Sequence, residues 1–200
     1  MDLSGYQWTD FYQNVSGRQP RPLLLDVLKR FEQEPSDQPR RAIDLGCGDG
    51  IETAFLLANG WHVLAVDSEP AAFEHLHAKI PAASKERLQT QVARFEEVEL
   101  PHADLIYAGF SLPFCHPQRF DALWSRIVSS ITPGGRFAGQ LFGVNDTWAD
   151  NPGMTFFTAE QARALFTALE VEHFHEEDKD GRSTIGPKHW HLFDVIARKK

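Results

Sequence analysis

Three glycines, Gly46, Gly48 and Gly50, follow the apolar run Ala42-Ile43-Asp44-Leu45 and precede a helical stretch. Glycine permits a tight turn and lets backbone approach a ligand closely, and the first N–H groups of a helix have no partner within it. This is the geometry of a nucleotide-type site at the end of a first strand. Two details select the ligand. A dinucleotide fingerprint counted from Gly46 needs glycine at position 51, where Ile51 stands. Asp44, two residues before the first glycine, sets a carboxylate where a pyrophosphate would be repelled. The same carboxylate suits a cationic ligand that carries an amino group. Asp67 ends a second apolar run at the distance where an acidic residue accepts hydrogen bonds from two ribose hydroxyls. The bland readings are a surface turn with incidental glycines and, for Asp67, an N-cap. The strand–turn–helix setting and the pairing of the two features favour a ligand site.

The elements that must position these residues alternate. Strands are expected at 41–45, 61–66, 88–93, 104–109 and 136–142, the last after a tight turn at Pro133-Gly134-Gly135. Helices are expected at 51–59, 71–79 and 117–131, where Phe120, Leu123, Trp124, Ile127, Val128 and Ile131 recur at helical spacing. A further helix, 158–169, opens with a Thr158/Gln161 capping-box pattern. Two final strands, 171–176 and 189–197, flank a polar hairpin connection with Gly181 and Gly186. Such alternation implies an α/β, Rossmann-like three-layer sandwich with a mostly parallel sheet and an antiparallel last strand. The chain reads as one domain over 1–200. Helices at 7–15 and 21–32 lie within residues 1–40, a possible lid bearing Trp8, Phe11 and Tyr12, and 35–39 is a short linker.

Composition narrows the partners. The chain has 200 residues, 42% hydrophobic, and a formal net charge of −8. The charge argues against a broad phosphate-binding surface, so no nucleic-acid partner is expected. No apolar run is long enough for a membrane helix, and no secretory signal is visible. Cys47 and Cys115 suggest no disulfide framework, which makes the cytoplasm the default compartment. A monomer or homodimer acting on a small molecule is expected. No metal is expected either: Cys115-His116 offers only two ligands, and His189 and His191, although on one strand face, are more often solvated.

The motifs Asp44-Leu45-Gly46-Cys47-Gly48-Asp49-Gly50, Asp67 and Ile131-Thr132-Pro133-Gly134-Gly135 together resemble the class I S-adenosylmethionine (SAM)-dependent methyltransferases. The resemblance runs from about Arg41 to the end of the chain. The close, an apolar strand into Ala197-Arg198-Lys199-Lys200, is similar to small bacterial methyltransferases of the tellurite-resistance type. The resemblance implies a seven-stranded sheet with an antiparallel last strand, and SAM as cofactor. It implies that Gly46, Cys47 and Gly48 lie against the methionine part of SAM, with Asp44 beneath it. Asp67 would bind the ribose and Ser68 would sit beside the adenine. The family's acidic–apolar pair after the third strand aligns with Arg94-Phe95. Arg94 cannot accept a hydrogen bond from the adenine amine. Phe95 is left to pack on the ring and Glu96 to supply the acceptor.

In open α/β sheets, ligands bind at the carboxyl ends of the parallel strands. The fourth strand ends at Phe110, Ser111, Phe114 and His116, and an antiparallel last strand brings Lys188, His189 and Trp190 to the same edge. Phe110 is counted with the cofactor residues, since aromatic faces favour a sulfonium electrostatically. Tyr12, Ser111, Phe114, Lys188 and Trp190 are the substrate candidates. His116 and His189 are the first candidates for a base, should the acceptor have to lose a proton. The expected activity is methyl transfer from SAM to a small-molecule nucleophile. The rival readings are a non-catalytic SAM-binding sensor or accessory protein and a nicotinamide-dependent oxidoreductase.

Overall fold

The structure, a computed structural model, describes residues 18–34, 36–184 and 186–200. Its sheet has the order β3-β2-β1-β4-β5-β8-β7. The strands are β1 (Arg41–Leu45), β2 (His62–Asp67), β3 (Leu88–Val92), β4 (Ala103–Ala108), β5 (Ile131–Gly143), β6 (Phe156–Phe157), β7 (Glu170–Ser183) and β8 (Gly186–Arg198). β1 to β5 pair in parallel, and β8 runs antiparallel to both β5 and β7. The two-residue β6 pairs with the end of β5, which adds an eighth strand to the seven expected.

Helices cover both faces. α1 (Pro22–Glu32), α2 (Ile51–Ala58) and α3 (Pro70–Lys79) pack on one side, and α4 (Pro117–Ser130) and α5 (Ala159–Ala164) on the other. Alternation of side chains along a strand divides β1 between the two cores. Ala42 faces α1 and α2, whereas Ile43 and Leu45 face α4. α1 was expected within a lid; it is instead a core helix, with Leu23, Leu24, Val27, Leu28 and Phe31 buried. The helix expected at 7–15, with Trp8, Phe11 and Tyr12, lies outside the described residues.

Two further expectations change in extent. The helix expected over 158–169 is α helix only to Ala164, although Thr158 and Gln161 do form the capping box. The polar connection 177–188 is not a loop but paired strand, with register partners from Glu177↔Leu192 to Ser183↔Gly186. Residues 132–135 bulge out of the β4–β5 ladder, between the pairs Ala103↔Ile131 and Leu105↔Arg136, which absorbs the Pro133-Gly134-Gly135 turn.

A buried cation ties α1 to the sheet. Arg136 on β5 donates to both oxygens of Glu34, at 3.0 and 2.8 Å, and to both oxygens of Glu172 on β7, at 2.9 and 2.8 Å. Its side chain is 3% exposed, so these carboxylates replace water for it. Removing one partner of a buried ion pair strands the other without solvation. Arg136→Ala should therefore lower the unfolding free energy by about 3 kcal/mol in urea titrations; a loss below about 1 kcal/mol, the range of an exposed pair, would contradict this role.

Candidate functional site

The turn after β1 is fastened to the end of β2. The N–H groups of Gly46 and Cys47 both donate to the Val66 carbonyl, at 2.8 and 2.9 Å. The next N–H, of Gly48, donates to Asp67 Oδ2 at 2.8 Å. Two of the glycines are obligatory for packing as well as for φ. Gly46 has φ +79°, and a Cβ there would fall 2.3 Å from Cβ of Ser111. Gly50, φ +77°, is the N-cap of α2, and a Cβ there would fall 2.4 Å from Leu76 on α3. The turn is thus pressed between the β4–α4 connection and α3, with its N–H groups turned toward β2.

Two carboxylates flank this turn. Asp44 is 2% exposed and accepts a hydrogen bond from the Thr53 hydroxyl at 2.6 Å. Burial, then the nearby Glu52 carboxylate, push its pKa up to about 7. Asp67, half-buried, accepts from Gly48 through Oδ2 and from the Glu69 N–H through Oδ1 at 3.0 Å; burial raises its pKa. Glu52 behaves oppositely. Burial would raise its pKa, but Arg18 and Arg21 outweigh it and hold the carboxyl below its usual range. Arg18 binds Glu52 through two 2.5 Å hydrogen bonds, and Arg21 through its backbone N–H at 3.3 Å and its guanidinium at 3.0 Å. Cys47 is buried and its thiol is pushed well up, so it is a neutral lining group and no nucleophile.

Facing the turn from the ends of β4, β5 and the start of β8 is an aromatic wall. Phe110 leads it, with φ 60°, a left-handed backbone that costs a non-glycine residue about 1–2 kcal/mol. Its N–H is held by Gln140 Oε1 at 3.2 Å, and Gln140 is itself fixed to Asp194 at 2.8 Å. The ring meets Phe142 and Trp190 edge-on, at 6.2 and 6.1 Å between centroids, and Arg21 lies 5.1 Å over it. Beside them, the ammonium of Lys188 sits 3.8 Å from the Trp148 ring centroid, 4.4 Å from Trp190 and 5.3 Å from Phe142. Lys188 and Asp146 form a fully buried ion pair. Burial lowers the Lys188 pKa despite that partner.

The sequence-predicted residues fall into three groups. Phe110, Phe114, Lys188 and Trp190 come together in the wall, Phe114 through Trp148 at 6.4 Å. Ser111 adjoins the glycine turn, but its hydroxyl donates to the Leu45 carbonyl, which makes it a buttress of the turn. His189 was expected to face the site with Lys188 and Trp190. Strand alternation sends it to the other face. There it lies between Asp178 at 2.5 Å and Asp180 at 2.7 Å, which raise its pKa. His116 is exposed and caps α4 by accepting from the Gln118 N–H at 3.2 Å. Beyond β3, Glu96 pairs with Arg94 at 3.6 Å, and the Phe95 carbonyl accepts from Arg126 at 2.5 Å. Ser68 is exposed beside Asp67, and Tyr12 lies outside the described residues.

Three wall residues were not among the substrate candidates: Phe142 and Asp146, which lie at and just after the end of the fifth strand, and Trp148. Their signal was the run from the end of β5 into the following loop, and nothing local marks Asp146 as the partner of a lysine 42 residues away. Among the described residues, no three His, Cys, Asp or Glu side chains gather as a metal-binding group, and no helix is long and apolar enough to cross a membrane.

Comparison with known proteins accords with this geometry. Residues 43–137 match the model of a methyltransferase domain family, from β1 through the glycine turn to β5. Over these residues the chain is similar to the SAM-dependent methyltransferases. It is 33% identical over 132 residues to trans-aconitate 2-methyltransferase of Methylobacterium radiotolerans, covering 65% of this chain and 47% of that protein. It is 30% identical over 126 residues to carboxy-S-adenosyl-L-methionine synthase of Erwinia tasmaniensis, covering 60% and 50%. The chain thus spans about half the length of these curated relatives. TehB of Haemophilus influenzae shares the fold, with a TM-score of 0.75 at 16% identity over 97% of this chain and 68% of that one. The cofactor of the methyltransferase domain is SAM, and the nicotinamide reading gives way.

Asp44 gives this site a pH signature. Its folded pKa, about 7, lies above the unfolded value of 3.8, so the native state holds the proton longer. Stability from this group is therefore present at low pH and lost as pH rises from about 4 to 7. Asp44→Asn should remove that slope: the stability of wild type relative to the variant should fall across this window in urea titrations. A difference that stays flat with pH would contradict it.

Proposed function

We propose that this chain transfers the methyl group of SAM to a small-molecule nucleophile, with the glycine turn holding the donor and the aromatic wall holding the acceptor. The observation that carries the reading is the opposition, at one sheet edge, of two buried or half-buried carboxylates and a wall of Phe110, Phe114, Trp148 and Trp190. Asp67 suits the ribose: both of its oxygens are oriented by backbone N–H groups and keep lone pairs for hydroxyl donors. Gly46, Cys47 and Gly48 line the amino-acid end of the donor, above Asp44. Ser68, Phe95 and Glu96 are assigned to the adenine side, and Phe110 presents its ring toward the sulfonium.

When bound, SAM supplies a methyl group already activated by its sulfonium. The protein's task is then positioning in a dry pocket. The wall suits that task, because Lys188 and Asp146 neutralise each other inside it, while Phe110, Phe114, Trp148 and Trp190 are only partly buried. Phe110 is fixed in a strained backbone, so its ring direction is set before ligand arrives. No proton transfer is assigned to His116 or His189: one caps a helix and the other is held by two aspartates on the opposite strand face. The relatives support a small acceptor, since trans-aconitate is a small acid by the name of the enzyme that methylates it.

The test is label transfer from methyl-labelled SAM to a panel of thiols, amines, carboxylates and metalloid oxyanions. Turnover is expected with at least one class. For that acceptor, Trp148→Ala should lower kcat/KM at least tenfold while SAM affinity stays within about twofold. Tight SAM binding without turnover across the panel would make the chain a non-catalytic SAM binder.

A further inference from the structure

Tyr107 carries a polar group that the fold does not use. The residue is 1% exposed, and its hydroxyl has no hydrogen-bond partner among the described residues. Such a group forfeits its hydration and receives nothing in return, which native structures rarely tolerate without a functional reason. Its location is well fixed. Tyr107 on β4 is the register partner of Asp44 on β1, and paired residues of neighbouring strands point to the same face. The ring extends toward the carboxyl edge of the sheet: a Cβ at Gly109 would lie 3.0 Å from the hydroxyl. The absence of a side chain at Gly109 leaves the hydroxyl its space. The charges acting on it are those of Glu52, Arg21, Asp44 and Arg18, after burial as the largest influence, and together they raise its pKa. It is therefore a neutral hydroxyl at neutral pH, able to donate and to accept.

Resting on the SAM reading, we infer that Tyr107 is a ligand-binding residue whose hydroxyl pairs with the α-amino-acid end of the cofactor, a function that no strand-packing role explains. A zwitterion with an ammonium and a carboxylate on one carbon matches the surroundings. Asp44 and Glu52 are the buried carboxylates near it, Arg18 and Arg21 are the cations that hold Glu52, and the hydroxyl can accept from the ammonium or donate to the carboxylate. The arrangement predicts a trade: the hydroxyl is a liability in the ligand-free protein and an asset once the ligand is bound.

Calorimetric titration of wild type and Tyr107→Phe with S-adenosylhomocysteine and with 5′-methylthioadenosine tests this. The second ligand keeps the nucleoside and lacks the amino-acid end. Tyr107→Phe should weaken S-adenosylhomocysteine at least fivefold and leave 5′-methylthioadenosine within twofold. The ligand-free variant should melt no lower than wild type. The ratio of the two affinities is insensitive to any general damage to the fold. An unchanged ratio overturns the assignment of Tyr107 and leaves the SAM reading standing. Failure of wild type to bind either ligand overturns both.

Discussion

Three consecutive backbone N–H groups, those of Gly46, Cys47 and Gly48, fasten the end of β1 to the end of β2. Everything at the carboxyl edge follows from that clamp. It brings Asp44 and Asp67 to the two sides of one turn, and it aims the start of α2 so that Thr53 reaches Asp44 and Glu52 reaches Arg18 and Arg21. The clamp needs glycine at 46 and 50 because Ser111 and Leu76 press against those positions. Sequence, local turn and tertiary packing therefore constrain each other, and a side chain at either position would displace β4 or α3 as well as the turn.

The carboxylate opposite the clamp is held in an uneasy state. Asp44 is buried with one hydroxyl partner and other carboxylates nearby, so its charge is poorly compensated in the ligand-free protein. A cationic ligand would relieve it. Phe110, in its left-handed backbone, is a second place where the fold carries strain at this edge. Both features lie within the region assigned to ligands, as expected where local stability gives way to preorganisation.

Much of this was legible in the sequence. β1 is short, apolar from Ala42 to Leu45 apart from Asp44, and ended by glycine, so its limits were readable and the chemistry of its turn with them. The β7–β8 hairpin was legible only in part: its apolar segments read as strands, but its polar end, 177–188, read as a connection. Hydrophobic periodicity is blind to a ladder built of polar pairs, and here Asp178 and Asp180 hold His189 while Glu176 holds His191 at 3.0 Å. The same blindness misdirected His189: its type and place near the sheet edge suggested a base, but the strand's two-residue period decided its face. The wall illustrates a different limit. Phe110, Phe114 and Trp190 were readable from strand ends, whereas the Asp146–Lys188 pair that organises Trp148 depends on a contact between distant segments.

The account stands or falls on what the clamp and its two carboxylates bind. Calorimetric titration of wild type, Asp44→Asn and Asp67→Ala with SAM, with NAD as the comparison ligand, addresses this directly. The predicted result is SAM binding by wild type, a loss of at least tenfold in each variant, and no binding of NAD. SAM binding undiminished in both variants, or NAD binding in place of SAM, would contradict it.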